Sequence, residues 1–187
     1  MLRRPALIGL AIALVVPLAA CTDTTRIPEA EPSSDVAPLF ASDEEALAAA
    51  LDSYESYIVV TSAVSGSRDA DTAVLSEVAV PTHVDELAES IEALRSEGLR
   101  TQGQPVLSSI SLQQHFEEVN GDVTVVIYVC LDVTEFGVVD SLGVDQTPAD
   151  RDDRVGLEIE LWAMNDLAPE LKVARSEVWR GSELCGG

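Results

Sequence analysis

The chain has 187 residues, 33 acidic against 11 basic, and a formal net charge of −22. A domain this negative repels phosphate backbones and anionic headgroups, which excludes nucleic acid as a natural partner. It leaves cations or a basic partner open, although dispersed acids also simply keep an exported domain soluble.

Residues 1–20 read as a targeting segment and not as part of the fold. Arg3 and Arg4 supply positive charge, and Leu7 to Ala20 is nearly unbroken apolar sequence. At about 14 residues the run is shorter than the roughly 20 a membrane-spanning helix needs, and it suits a signal-peptide core. A twin-arginine signal finds no support beyond the Arg3-Arg4 pair itself, which Pro5 follows. The run ends in Leu18-Ala19-Ala20-Cys21, which resembles the bacterial lipobox. Small residues before the cut fit a peptidase cleft, and the cysteine thiol accepts diacylglycerol. The resemblance implies a lipid on Cys21 and a place on the extracytoplasmic face of the cell membrane. The plainer alternative is an ordinary secretory signal whose alanine-rich end happens to precede a cysteine.

Residues 21–41 are rich in Thr, Ser and Pro and carry no apolar period. Such a stretch buries too little surface to offset its chain entropy, so it reads as a flexible tether. Residues 42–187 then have the length of one domain. With Cys21 assigned to lipid, Cys130 and Cys185 are an even pair in an oxidising compartment, which predicts a disulfide. Two free thiols are the alternative. A metal pair lacks neighbouring His or Cys ligands.

The helices come first. Ser42-Asp43-Glu44-Glu45 is a capping box, with acids placed at the positive helix end. Leu47, Ala50, Leu51, Tyr54, Tyr57 and Ile58 follow at spacings that make one face, predicting a helix from about 43 to 64. Ser65-Gly66-Ser67 ends it. Asp69 or Asp71 starts a short second helix carrying Val74, Leu75 and Val78. Thr82 with Asp85 caps a third, in which Val84, Leu87, Ile91 and Leu94 share a face and Gly98 closes the C-terminus.

After residue 100 the period changes to two. Val106, Ile110, Leu112 and Phe116 form the apolar side of a strand whose polar side includes His115. Asn120-Gly121 marks a hairpin turn. The return strand, Val123 to Leu131, is apolar on both faces and therefore central. Val133–Asp140 is a candidate third strand, 141–153 an acidic loop, Val155–Leu161 a strand, Asn165–Pro169 a turn, and Leu171–Trp179 the last strand. Helices followed by antiparallel strands define an α+β fold of segregated elements.

That order resembles the nuclear-transport-factor-2-like cone, in which a long N-terminal helix lies in the hollow of a curved antiparallel sheet. The Tyr128-Val129-Cys130-Leu131-Asp132 strand, Val138-Val139-Asp140 and the Trp179 to Cys185 segment look like small actinobacterial lipoproteins of that superfamily. The resemblance implies a single cone-like domain. Tyr54, Tyr57, Tyr128 and Trp162 are candidates to line its cavity. In enzymes of the superfamily, ketosteroid isomerases and polyketide cyclases, an Asp in an apolar cavity acts as base, because desolvation raises its basicity. Asp132, at the end of an apolar strand, is the weak candidate here, and His115 is another. Solvated roles are the ordinary alternative for both. His83, in the first turn of a helix, reads as solvated.

No zinc motif, phosphate loop or nucleophile elbow is present. The acids of 140–153 lack the alternation of a calcium loop, and pairing with Arg151 and Arg154 explains them. The sequence thus points to no cofactor and no metal. It indicates a non-enzymatic, membrane-anchored lipoprotein whose cone binds a protein partner or a small apolar ligand. A cavity acid–base enzyme is the alternative.

Overall fold

The computed structural model describes residues 38–164, 170–181 and 184–186. The targeting segment, Cys21, most of the tether and the turn expected over 165–169 lie outside the described residues. None of the helices among the described residues is long and apolar enough to cross a membrane.

Helix α1 spans Asp43–Gly66. Its cap forms as the sequence dictates: the Ser42 hydroxyl accepts from the Glu45 N–H at 3.3 Å. The Glu45 carboxylate in turn accepts from the Ala41 N–H at 2.8 Å, one residue before the cap. Ala46, Ala50, Tyr54, Tyr57 and Ile58 are its buried side. The last turn of α1 carries no basic residue of its own. Arg95, from the next long helix, donates instead to the carbonyls of Val64, Ser67 and Ala70 at 3.2, 3.1 and 2.9 Å. One guanidinium thereby ties together carbonyls at the end of α1 and in the segment just beyond it.

A 3-10 helix, Thr72–Glu77, is capped by Asp71, and its Leu75 is fully buried. Helix α2 spans Pro81–Ser96 and starts one residue before the expected Thr82 cap. The reason is backbone chemistry: proline lacks an N–H and so fits the first helical position, where that group has no partner. The preceding Val80 is pinned by its own N–H to the Val173 carbonyl at 3.0 Å. At the other end Gly98 (φ 75°) donates to Arg95 O and Leu99 donates to Leu94 O, a Schellman closure.

The main sheet is antiparallel and curved, with β2 (Val106–Glu117), β3 (Val123–Asp132), β5 (Arg154–Ala163) and β6 (Lys172–Val178) in the order β2-β3-β5-β6. β3 is internal, as its two apolar faces require. Val125, Ile127 and Val129 of β3, Ile159 and Leu161 of β5, and Val173 of β6 are each 0 % exposed. They share one cluster with the buried face of α1, so the helices and the sheet enclose a common core.

Two expectations about strands are corrected. Residues 133–140 add no strand to the main sheet. Only β4, Gly137–Val139, is extended, and it pairs with a three-residue strand absent from the sequence reading, β1, Arg100–Gln102. The departure begins at Asp132, whose carboxylate accepts from the Thr134 N–H at 3.0 Å and turns the chain off the sheet. Along β2, register shifts at Leu107/Ser109 and Leu112/Gln114 break the alternation twice. Each bulge moves later side chains to the opposite face. Phe116 consequently lies exposed at 42 %, and Val106, expected on the apolar side, is 61 % exposed, while Leu107 packs on the core with Ile110 and Leu112.

Candidate functional site

Between α1, α2 and the inner face of the sheet lies a cavity of about 310 Å³. Tyr54, Tyr57 and Ile58 of α1 line it with Leu87, Ile91 and Leu94 of α2, Leu131 and Leu157 of the sheet, and Pro105 and Phe136 from the loops. Hydroxyl side chains also border it, but most turn back on their own helices. Thr61 donates to the Tyr57 carbonyl at 2.6 Å, Ser65 to Thr61 at 2.8 Å and Ser90 to Glu86 at 2.9 Å. The wall therefore presents mainly carbon, and its volume falls at the small end of ligand pockets.

Two phenols form one part of that wall. The rings of Tyr54 and Tyr57 stack with centroids 5.7 Å apart and planes 16° from parallel. Burial raises both phenols above their ordinary range. For Tyr54 the neighbouring Tyr57 adds to the effect, and for Tyr57 the charge of Glu86 does. Both stay protonated. The Tyr57 hydroxyl meets His83 Nε2 at 3.0 Å, and His83 Nδ1 meets a Glu86 carboxylate oxygen at 3.1 Å. A carboxylate only accepts, so Nδ1 carries the ring proton. In the neutral ring Nε2 then accepts from Tyr57. His83 is 6 % exposed. The expectation of a solvated histidine is thus corrected: a helix start is not a solvated place when a partner helix lies across it. Tyr57 stands 26 positions away in sequence, so no local signal showed the contact.

Of the four residues expected to line the cavity, the structure brings together Tyr54 and Tyr57 only. Tyr128 and Trp162 alternate with core residues and sit on the outer face of the sheet, which corrects their assignment. Trp162 donates through Nε1 to Glu160 at 2.6 Å and borders a separate concavity of about 690 Å³ with Val80, Pro81 and Met164. The ring of Tyr128 meets that of Trp179 at a tilt of 41°, with centroids 4.6 Å apart.

The weak catalytic candidates are placed elsewhere. Asp132 does not border the cavity. The Thr134 side chain and N–H, followed by the Arg154 charge, hold its carboxyl below the usual aspartate range. A desolvated base would be shifted the other way. His115 is turned by the β2 bulges away from the expected polar face and toward the start of α1. Its Nδ1 is 3.2 Å from Asp43 Oδ1, and Phe40 meets its ring edge-on. That contact lacks hydrogen-bond alignment, since Nδ1 is buried without a bonded partner.

On the outer face the chain after β6 returns across the sheet. The Trp179 N–H donates to Gly156 O at 2.8 Å, and Arg154 donates to Cys185 O at 3.3 Å. The sulfurs of Cys130 and Cys185 lie at disulfide distance, 2.07 Å, with Cα atoms 5.3 Å apart. Gly156 makes room for this crossing. A Cβ there would stand 3.2 Å from Leu184 and 3.4 Å from the Trp179 carbonyl.

The acidic loop attends to its own backbone. Asp140 accepts from the N–H groups of Leu142 and Val144, at 2.8 and 2.9 Å, and Asp145 from that of Thr147 at 2.8 Å. Arg151 does not pair with these acids as expected. It donates instead to the backbone carbonyls of Phe136 and Val133. Among the described residues no group of three or more His, Cys, Asp or Glu is placed to hold a metal ion.

No protein-family model matches the sequence, and no curated protein does. Among solved structures the chain is similar to the intermembrane space region of the chloroplast protein ARC6. The TM-score is 0.53 at 14% identity, covering 71% of this chain and 95% of that one. At that identity the likeness concerns the fold alone. A de novo designed β-sheet protein is similar at TM-score 0.32 and 13% identity, over 75% of this chain and 93% of the design. That score carries no argument.

Proposed function

We propose that this chain is a non-enzymatic lipoprotein, held by lipid on Cys21 at the extracytoplasmic face of the cell membrane, whose domain takes a small apolar ligand. The observation that carries the reading is the carbon-walled cavity of about 310 Å³ between α1, α2 and the sheet. The lipobox-like Leu18–Cys21 and the resemblance to the nuclear-transport-factor-2-like cone support it. Acid–base catalysis from Asp132 has no such support, since that carboxylate lies off the cavity and is stabilised in its charged form.

The experiment combines location and occupancy. Cys21→Ser should release the protein from the membrane fraction or stall it as precursor. In the full chain, the neutral hydrocarbon α-methylstyrene should give saturable NMR shifts at Tyr54, Tyr57 and Leu157. Ser176→Phe, which places a ring in the same space, should abolish them. Unchanged membrane partitioning of Cys21→Ser removes the anchor. Shifts that are absent, or that persist in Ser176→Phe, remove the cavity reading.

A further inference from the structure

Tyr57, His83 and Glu86 form a chain that runs from the cavity wall to the surface. Tyr57 borders the cavity, and its hydroxyl donates to His83 Nε2 at 3.0 Å. The two rings also stack, with centroids 5.8 Å apart and planes 21° from parallel. Tyr57 and His83 are buried, whereas Glu86 at the far end is exposed and gives the chain a route to water. Side chains thus fasten α2 to α1 at both ends, through His83 near its start and through Arg95 near its finish. Only the first fastening can change its charge near neutral pH, because an arginine stays protonated.

We propose that this chain is a proton-operated latch on the cavity: a proton added to His83 releases Tyr57, the wall loses a fixed ring, and the bound ligand leaves. This rests on the reading of the cavity as a ligand site and adds its regulation. The placement of protons gives the direction. In the neutral ring Nδ1 donates to Glu86 and Nε2 accepts from Tyr57, so each proton of the chain has an acceptor. A second proton goes to Nε2, which holds the lone pair, and makes it a donor. The phenol oxygen must then accept, and the Tyr57 proton loses the one acceptor it has among the described residues. A buried donor left unpaired is costly. The phenol does not escape by ionising, since burial and the charge of Glu86 both hold its proton on. Tyr57 therefore turns away and takes part of the wall with it. The helix start stays, because the Val80 N–H just before it is bound to the Val173 carbonyl. Among the described residues no other charged group bonds to the His83 ring. Of the other elements packed on α2, β6 has Lys172 engaged with the Ser76 carbonyl and Arg175 with Glu158, Glu160 and Glu177. Arg100 of β1 donates to the Thr101 carbonyl, and Glu77 of the 3-10 helix makes no bond or ion pair with the ring.

The test uses the full chain and α-methylstyrene, whose own charge does not depend on pH. Binding is read from the NMR shift of Leu157, which lines the cavity, and the ring nitrogens of His83 are followed in the same samples. Between about pH 7.5 and about pH 5, where histidines change charge, the affinity should fall by about fivefold, the equivalent of one net hydrogen bond. The loss should track the His83 ring and reverse on return to neutral pH. His83→Gln keeps an oxygen that can accept from Tyr57 but takes up no proton, so its affinity should be the same at both pH values. Tyr57→Phe keeps the ring and removes the latched hydroxyl, and it should be equally insensitive. It gives the same reading if His83→Gln fails to fold. The chain has only two histidines, and His115→Gln should leave the response intact.

The outcomes separate the two readings. If the probe does not bind the wild type at neutral pH, the cavity reading falls and the latch with it. If it binds equally at both pH values, or if the loss persists in His83→Gln or Tyr57→Phe, the cavity stands and the latch is overturned. A His83 ring that stays neutral down to about pH 5 would also overturn it.

Discussion

The two faces of the sheet are made by the same strands and are covered by different means. β3 turns Val125, Ile127 and Val129 toward the helices, and Thr124, Val126, Tyr128 and Cys130 outward. The inner side chains are closed off by α1 and α2 through non-directional apolar packing. The outer face carries Glu158, Glu160 and Glu177 around Arg175, with contacts from 3.0 to 3.5 Å. One end of it is covered by the returning C-terminal segment, over Cys130 at 1 % exposure. A strand that is apolar on both sides thus needs a cover for each. Here one cover is a helical layer, and the other is a short peptide held by sulfur and a few backbone hydrogen bonds. The inner cover is built of many small contributions, whereas the outer one depends on a single covalent link.

The largest effect should come from breaking that link. The Cys130–Cys185 bridge closes a loop with a sequence separation of 55, for which chain entropy sets an upper bound of about 4 kcal/mol. Replacing both cysteines with alanine avoids leaving a lone thiol and should lower the urea midpoint substantially. Trp179 fluorescence should change in the folded state, because the segment that packs it on Tyr128 is freed. The NMR shifts of Ile127 and Leu161, on the other face, should hardly move. Equal midpoints for oxidised and reduced wild type would show that the outer cover needs no sulfur.

A smaller effect, on the opposite face, should follow from Ile127→Ala. Ile127 is 0 % exposed and belongs to the central core cluster, and such truncations cost about 3 kcal/mol. Thr124→Ala, on the same strand but outward and only half-buried, should cost less than about 1 kcal/mol, as surface changes usually do. Chemical denaturation of the two variants measures the asymmetry directly. Comparable losses would mean that the outer face is packed as tightly as the inner one.

Much of this division was legible in the sequence, and what was not shares a physical cause. The Ser42 cap, the Asn120-Gly121 hairpin and the central place of β3 are local or periodic signals, and they hold. The phase of β2 was legible only between its two bulges, at Ile110 and Leu112, because a bulge is a two-against-one pairing that depends on the partner strand. Phe116 and His115 accordingly exchange the roles their alternation predicts. Strands of three residues such as β1 and β4 are too short to show a period. The candidate site divides along the same line. Tyr54 and Tyr57 follow from the helix spacing. The burial of His83 and the reach of Arg95 across to Val64 depend on how α2 crosses α1, and that crossing is a tertiary fact. Tyr128 and Trp162 were assigned to the cavity by their aromatic character, while strand parity places them outside it.

The smallest expected effect concerns Asp132, where the chain leaves the inner layer, and it distinguishes a turn residue from a catalytic one. Its carboxylate is held below its ordinary value of 3.8 by the Thr134 side chain, the Thr134 N–H and the Arg154 charge. A carboxyl whose folded pKa is depressed contributes stability that is complete above the unfolded value. That contribution is lost as pH falls through the folded value. Asp132→Asn keeps an oxygen for the Thr134 N–H but removes the charge. The variant should therefore be slightly less stable than the wild type at neutral pH, and the gap should close on acidification below the ordinary aspartate value. The side chain faces solvent, which screens the interaction, so the difference will be small and best read as a trend across pH. Direct NMR titration of the Asp132 carboxyl gives the same answer from the other side. A midpoint above 3.8, or a stability gap that widens in acid, would mean that the group is desolvated after all and would restore it as a candidate base.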